Sequence, residues 1–156
     1  MIKPINYFIG HLQSEIRLNE QLIIKKQNRY FLLNEKLKSL VLKDFFYAGI
    51  YIGKVKNEKF FPSFNLLSMI ARGKANKVVV DDKTEWLFIC GRDVFRQGIE
   101  KTMGSKSKGD NTLILNRHGE CLGFGRITRN LDEDGAVIEN VSDIGDFLRR
   151  EPLKAK

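Results

Sequence analysis

Cysteine and histidine are scarce in this sequence of 156 residues. There are two cysteines, Cys90 and Cys121, and two histidines, His11 and His118. They show no C-x-x-C or H-x-x-x-H spacing, and a structural zinc site needs four ligands at recurring spacings of that kind. The sequence therefore predicts no metal site. Each cysteine lies beside an apolar run, so we expect two buried, reduced thiols.

Long apolar runs are also missing. No stretch reaches the roughly 18 uncharged apolar residues that a membrane-spanning helix requires. The N-terminus, MIKPINYFIGHLQSEIR, has one basic residue before a short apolar stretch and lacks the apolar core and cleavage site of a signal peptide. We therefore expect a cytoplasmic protein, or a nuclear one in a eukaryote, with no membrane partner.

Two glycine-rich segments resemble nucleotide-binding loops, but each lacks a residue that the corresponding motif requires. In GECLGFGRIT, Gly123 and Gly125 follow an apolar run, but Thr128 stands where a dinucleotide fingerprint needs its third glycine, and a loop follows instead of a helix. In GSKSKGDN, Asp110 stands where a P-loop needs lysine. No nucleophile with a base beside it can be assigned. We expect no cofactor, and we interpret the glycines of GECLGFGRIT as sites of close backbone packing.

Positive charge is concentrated in the first half. The net charge is +8, and residues 1–72 carry 12 Lys and Arg against 5 Asp and Glu, whereas residues 73–156 carry 15 against 14. A protein with a pI near 9.5 suits a polyanion such as nucleic acid. Surface charge without a specific partner is the alternative interpretation.

Hydrophobic periodicity predicts an α+β first domain, residues 1–74. Its predicted elements are an amphipathic helix in PINYFIGHLQSEI, with apolar residues from Ile5 to Ile16 at helical spacing, a hairpin around KQNR, a helix capped by Asn34, a strand in FFYAGIYIGKV covered on both faces, and a helix capped by Ser63. The short strands, glycines and charged turns of residues 75–156 predict a small mixed barrel.

The second domain has its own predicted elements. They are a strand in KVVVDD, a helix capped by Thr84 that runs into a strand, a glycine-bounded connection in GRDVFRQGI, a flexible polar loop in GSKSKGDN, a hairpin turning at RHGE, a strand in AVIENV, and a short terminal helix capped by Ser142.

This second half resembles a PUA domain, on the residues KVVVDD, GRDVFRQGI and KGDNTLILNRHGECLGFGR. Over about residues 21–152, the chain resembles the nuclear import protein seven family of large-ribosomal-subunit biogenesis factors, in an archaeal-type form. The motifs are YFLLNEKLKSL, CGRDVFRQGI, CLGFGRITRN and DIGDFLRRE. The resemblance implies an N-terminal α/β pre-PUA domain followed by a C-terminal PUA pseudo-β-barrel.

The resemblance also implies a function. Such proteins are non-catalytic RNA-binding adaptors in large-subunit pre-rRNA processing, which bind U-rich or AU-rich single-stranded RNA and associate with exosome or pre-ribosomal proteins. They need no cofactor, and we expect a monomer, nucleolar if eukaryotic. The family's basic terminal helix corresponds here to Arg149, Arg150, Lys154 and Lys156.

Other basic residues extend the predicted RNA site. Arg92 and Arg96, in the glycine-bounded connection, and Arg126, after the hairpin, are candidate phosphate ligands because planar guanidinium groups pair with phosphates and stack on bases. Gly91 and Gly98 are expected to let the backbone approach RNA. Two alternatives stay open: a protein–protein adaptor that docks through the basic first half, and an accessory PUA module in tRNA modification.

Overall fold

A computed structural model describes residues 2–41 and 45–150 of the chain. The chain folds as two compact units, Met1–Lys74 and Ala75–Lys156. Both units mix helices with strands, so the α+β class is confirmed, and the sheet of the second unit curls into a half-barrel. Within the described residues, no helix is long and apolar enough to cross a membrane.

The first unit contains a four-stranded antiparallel sheet with strand order β1-β2-β3-β4. Its elements are α1 (Lys3–His11), β1 (Ile23–Lys26), β2 (Arg29–Leu32), α2 (Glu35–Leu40), β3 (Ile50–Lys56), β4 (Lys59–Pro62) and α3 (Phe64–Ala71).

One face of this sheet carries the main core of the unit. The buried side chains of α1 and α3 pack on β4 and β3. Phe60 of β4 links the two layers, since its ring centroid lies 5.7 Å from that of Phe8 in α1 and 6.4 Å from that of Tyr30 in β2. Tyr30 is buried, as its position on the helix-covered face requires. The opposite face is covered only in part, by α2 and the segment that follows it.

The helix starts of the first unit are confirmed, and two other expectations are wrong. Asn34 and Ser63 each accept a hydrogen bond from a backbone N–H three residues on, at 2.7 and 3.1 Å. The first helix ends at His11 and does not reach Ile16. The strand expected in FFYAGIYIGKV begins only at Ile50, and its outer face is covered only in part, since Tyr51 packs with Leu37 of α2 against the same buried cluster whereas Lys54 is exposed.

The second unit is built on a six-stranded sheet with order β6-β10-β9-β8-β5-β7, in which the β5–β8 pair is parallel and the others are antiparallel. Its elements are β5 (Lys77–Val80), α4 (Asp82–Ile89), β6 (Val94–Phe95), β7 (Ile99–Met103), β8 (Asn111–Leu115), β9 (Cys121–Ile127), β10 (Ala136–Asp143) and α5 (Ile144–Arg150).

The glycines of GECLGFGRIT act as sites of close packing, as expected. A Cβ atom at Gly123 would collide with the backbone carbonyl of Ser142 in β10, and one at Gly125 would collide with the carbonyl of Glu139. Glycine at these positions lets β9 and β10 approach closely enough for the sheet to curl. The intervening Phe124 is buried.

Two helix caps of the second unit differ from expectation. Asp81, not Thr84, caps α4, because its carboxylate accepts the N–H of Thr84 at 2.7 Å, and hydrogen bonds from Thr84 lower the pKa of Asp81. Residue 84 lies inside this helix, which does not continue as a strand. At the chain's end, β10 extends through Asp143, so Asp143 caps α5 in place of Ser142 and accepts the N–H of Asp146 at 2.9 Å.

The two cysteines have different environments, so the expectation of two buried thiols is wrong for Cys90. Cys90 ends α4 and is exposed, whereas Cys121 begins β9 and is only partly exposed. Burial of the Cys121 thiol raises its pKa to about 11, because the thiolate would lose hydration.

We expect alkylation to separate these two thiols. At pH 8, only about one in a thousand Cys121 thiols is ionised, because the pH lies about three units below its pKa. Iodoacetamide should therefore label the exposed Cys90 first, and Cys121 labelling should accelerate as the pH approaches 11. Peptide mass spectrometry at several pH values measures both rates, and labelling of the native protein at equal rates would contradict the burial of Cys121.

Candidate nucleic-acid interface

The C-terminal end of α4 is closed by a glycine motif. The N–H of Gly91 donates to the carbonyl of Phe88, and the N–H of Arg92 donates to the carbonyl of Leu87, both at 2.9 Å. Gly91 has φ of +89°, a left-handed conformation that glycine adopts without strain. This pair of bonds is the Schellman motif, which ends the helix and turns the chain toward Arg92.

Arg149 of α5 fastens the terminal helix to this end of α4. Its guanidinium donates to the carboxylate of Asp143 at 2.9 Å and to the carbonyl of Ile89, and it lies 4.0 Å from the carboxylate of Asp146. The hydrogen bond to Asp143 raises the pKa of Arg149. The guanidinium also packs over Gly91, where a Cβ atom would come within 3.2 Å of it. Arg149 is therefore committed to internal contacts.

Asn140 of β10 holds the segment that follows α4. Its side-chain amide donates to the carbonyl of Phe88 at 2.9 Å and to that of Arg92 at 3.3 Å. Its backbone N–H donates to the carboxylate of Asp93 at 2.9 Å. These bonds hold the backbone between α4 and β6 against the sheet. The exposed side chains of this segment therefore project from a backbone held in a fixed position.

Besides Asp93, which is exposed and whose carboxylate accepts the N–H of Asn140, three side chains of this segment face solvent to different degrees. Arg92 and Phe95 are exposed, with 49% of Phe95 accessible, and Arg96 is partly exposed. Neither arginine has a carboxylate partner among the residues that the structure describes. Val94, between them, is buried in the core. The segment thus presents two cations and an aromatic ring, a combination that suits phosphates and bases.

Phe95 is a residue of this segment that the predicted RNA site omits. The sequence D-V-F-R contains a usable signal, because side chains alternate between the two faces of a strand. A buried Val94 places its neighbour Phe95 on the opposite, solvent-facing side. The exposed Trp86 of α4, 68% accessible, is a second aromatic residue that the sequence patterns did not single out.

Of two further residues predicted to contact RNA, Gly98 is buried and Arg126 is exposed. Gly98 is buried, and the side chain of Thr84 occupies the space where a Cβ atom would lie. Its missing side chain therefore serves packing, which corrects the expectation that it lets the backbone approach RNA. Arg126 is exposed on β9, and its cross-strand neighbour on β10 is the exposed Glu139.

Most of the terminal basic residues predicted to bind RNA lie outside the described part of the chain. These are Lys154 and Lys156, together with the side chain of Arg150.

Among the described cations of the second unit, Arg117 is already paired. It forms an ion pair with Asp82 at 2.9 Å and with Glu100, and its hydrogen bond lowers the pKa of Glu100.

Potential metal ligands do not cluster in the described residues of either unit. Across residues 2–41 and 45–150, no group of three or more His, Cys, Asp or Glu side chains is placed to hold a metal ion.

Comparison with known proteins identifies the second unit. Residues 76–152 match the family described as the UPF0113 PUA domain. A UPF0113 protein of Archaeoglobus fulgidus is 34% identical over 113 residues, which cover 67% of this chain and 63% of that protein. The chain therefore spans slightly less than two thirds of this relative.

Solved structures share the fold at low sequence identity. A conserved PUA domain protein from Thermoplasma acidophilum has a TM-score of 0.63 at 17% identity, covering 92% of this chain and 89% of its own. A hypothetical protein from Pyrococcus horikoshii has a TM-score of 0.56 at 15% identity, covering 94% and 96%. The PUA domain is an RNA-binding module. The second unit thus has the fold of a PUA domain, its residues 76–152 match the UPF0113 PUA domain model, and the chain is similar to an archaeal protein of that description.

Proposed function

We propose that this protein is a non-catalytic RNA-binding adaptor in large-subunit pre-rRNA processing, of the nuclear import protein seven type. It would act in the cytoplasm, or in the nucleolus if the organism is eukaryotic, and would bind U-rich or AU-rich single-stranded RNA. The observation that carries the proposal is the exposed segment from Arg92 to Arg96, held rigidly within a PUA domain.

In this proposal, three solvent-facing side chains of the segment have a chemical role. Arg92 and Arg96 neutralise phosphates, and Phe95 offers its ring to an unpaired base, since every base has a face that stacks on an aromatic ring. Gly91 and Asn140 act indirectly, because they set the backbone from which these side chains project. Recognition of this kind needs no cofactor.

The test is a titration of a U-rich oligonucleotide at several salt concentrations, followed by fluorescence anisotropy. For Arg92→Ala with Arg96→Ala, the slope of log K against log salt should flatten by about 1.4, because each lost phosphate contact removes about 0.7 for single strands. Phe95→Ala should weaken binding about tenfold with the slope unchanged. The matched control is Lys83→Ala with Lys101→Ala, two exposed cations of the same unit. A double arginine variant that behaves like this control would exclude the segment from the RNA site.

The biological role is tested by crosslinking in cells and sequencing the bound RNA. We expect large-subunit pre-rRNA, and partners from the exosome or pre-ribosome in a parallel pull-down. Enrichment of tRNA would contradict the proposal and favour an accessory role in tRNA modification. Partners that survive nuclease treatment while no RNA is crosslinked would favour the protein–protein adaptor.

A further inference from the structure

The positive charge of the protein lies in the unit that is not the PUA domain. The first unit, Met1–Lys74, contains 13 Lys and Arg and 5 Asp and Glu, whereas Ala75–Lys156 contains 14 of each. The net charge of +8 therefore belongs entirely to the first unit. Because phosphate neutralisation supplies most of the sequence-independent affinity for nucleic acid, the charge distribution directs attention to the surface of this unit.

A row of cations crosses the first three strands of its sheet. Lys26 of β1 lies directly opposite Arg29 of β2, and Arg29 lies directly opposite Lys54 of β3. Residues directly opposite one another on neighbouring strands lie on the same face of a sheet. We call Lys26, Arg29 and Lys54 the basic row. It ends at Phe61 of β4, which is opposite Lys54 and exposed.

The basic row lies on the face away from α1 and α3. Tyr30, the strand neighbour of Arg29, points to the helix-covered face and is buried against Phe60. Alternation along β2 therefore places Arg29 on the opposite face. Lys54 is exposed, and Lys26 and Arg29 are partly exposed. The row is thus a surface feature and not part of the core beneath the helices.

The cations of the basic row have no acidic counterparts on the sheet. The four strands carry six Lys or Arg and no Asp or Glu. In the part of the chain that the structure describes, no carboxylate forms an ion pair with Lys26, Arg29 or Lys54. Like charges directly opposite each other on a sheet reduce stability. A bound polyanion would relieve this repulsion.

Exposed aromatic rings adjoin the basic row. The guanidinium carbon of Arg29 lies 4.8 Å from the ring centroid of Phe46, which is 80% accessible. Tyr47, 54% accessible, packs its ring 5.2 Å from that of the buried Phe31, and its hydroxyl accepts the N–H of Tyr51 at 3.3 Å. We call Phe46 and Tyr47 the aromatic pair. Aromatic rings this exposed, beside cations that have no carboxylate partner among the described residues, match the composition of single-strand binding surfaces.

From this arrangement we propose that the outer face of the first unit's sheet is a second binding site for single-stranded RNA. The basic row contacts phosphates and the aromatic pair stacks on unpaired bases. The inference rests on the proposed function for the identity of its ligand, and it adds a site outside the PUA domain. An acidic protein partner also fits the cations. We favour RNA because its phosphates match the basic row and its planar bases stack on the exposed rings.

The test removes the charge and the rings separately in the full chain. Lys26→Gln, Arg29→Gln and Lys54→Gln together should weaken binding of a U-rich oligonucleotide at least about tenfold and flatten the salt slope by about 2, for three lost phosphate contacts. The matched control is Lys3→Gln, Arg17→Gln and Arg72→Gln, three exposed cations elsewhere in the unit with the same loss of charge. The control should change neither quantity by a comparable amount.

Replacement of the aromatic pair should have a different signature. Phe46→Ala with Tyr47→Ala should weaken binding about tenfold or more and leave the salt slope unchanged, because stacking releases no counterions. Tyr7→Ala removes a comparably exposed ring from α1 and serves as the control. Thermal melts verify that each variant is folded at the temperature of the titration.

The outcomes separate this inference from the proposed function. A wild-type protein that binds no RNA would overturn both. Loss of binding in the Arg92→Ala, Arg96→Ala variant, with the triple glutamine variant matching its control, would overturn the second site and leave the PUA site standing. A triple glutamine variant that binds RNA normally but loses a protein partner in a nuclease-treated pull-down would identify the face as a protein-docking surface and also overturn the inference.

Discussion

Replacement of Gly123 by alanine is expected to destabilise the second unit by about 3 kcal/mol or more. A Cβ atom there would overlap the backbone carbonyl of Ser142, and a carbonyl held in a strand cannot rotate away as a side chain can. The φ of +147° adds strain of about 1–3 kcal/mol for any residue with a Cβ atom. Overpacking costs a further 1–3 kcal/mol or so. Together, backbone strain and overpacking would remove a large part of the roughly 5–15 kcal/mol free energy of unfolding of a typical domain.

A second glycine, Gly119, allows the cost of backbone strain to be measured separately from the cost of steric overlap. Gly119, in the turn between β8 and β9, also has a left-handed φ, of +80°, but no heavy atom lies within 4 Å of the position that a Cβ atom would take. Gly119→Ala should therefore cost about 1 kcal/mol, the strain alone. Urea denaturation of both variants measures the difference. Equal losses of stability would mean that β9 and β10 do not pack as closely at Gly123 as the fold requires.

The predictable parts of the fold were those set by short-range chemistry. The hairpin around KQNR and the caps at Asn34 and Ser63 depend on a few neighbouring residues, and the structure contains them. The cap of α4 could not be chosen in the same way, because both Asp81 and Thr84 can cap a helix. Thr84 is instead buried against Gly98, a contact between two segments that no local pattern contains.

In the candidate sites, too, some features follow from neighbouring residues and others depend on contacts between distant segments. The exposure of Phe95 follows from alternation within β6, which is a local property. The cations of the basic row come from three strands, and they form a row only because the strand register places Lys26 opposite Arg29 and Arg29 opposite Lys54. A shift of one residue would move such side chains to the other face of the sheet. Composition alone showed the charge of the first half but not its arrangement.

Arg149→Ala is expected to lower the melting temperature of the protein and to leave the salt slope of RNA binding nearly unchanged. The guanidinium makes its hydrogen bonds to Asp143 and to the carbonyl of Ile89, so its loss leaves the carboxylate of Asp143, 3% accessible, without its cation. Arg149→Lys should restore little of the stability, because an ammonium group cannot reproduce the two-sided contact of a planar guanidinium. Thermal melts and salt titrations below the melting temperature measure the two effects.

The partner residue provides the control. Asp143→Ala removes both the cap of α5 and the acceptor of Arg149, and should cost about 2 kcal/mol. It also frees the Arg149 guanidinium from its carboxylate. If Arg149 is a phosphate ligand, Asp143→Ala should strengthen RNA binding and Arg149→Ala should flatten the salt slope by about 0.7. If Arg149 serves only to dock α5, both variants lose stability while the slope stays that of the wild type, because the phosphate contacts are then made by Arg92 and Arg96.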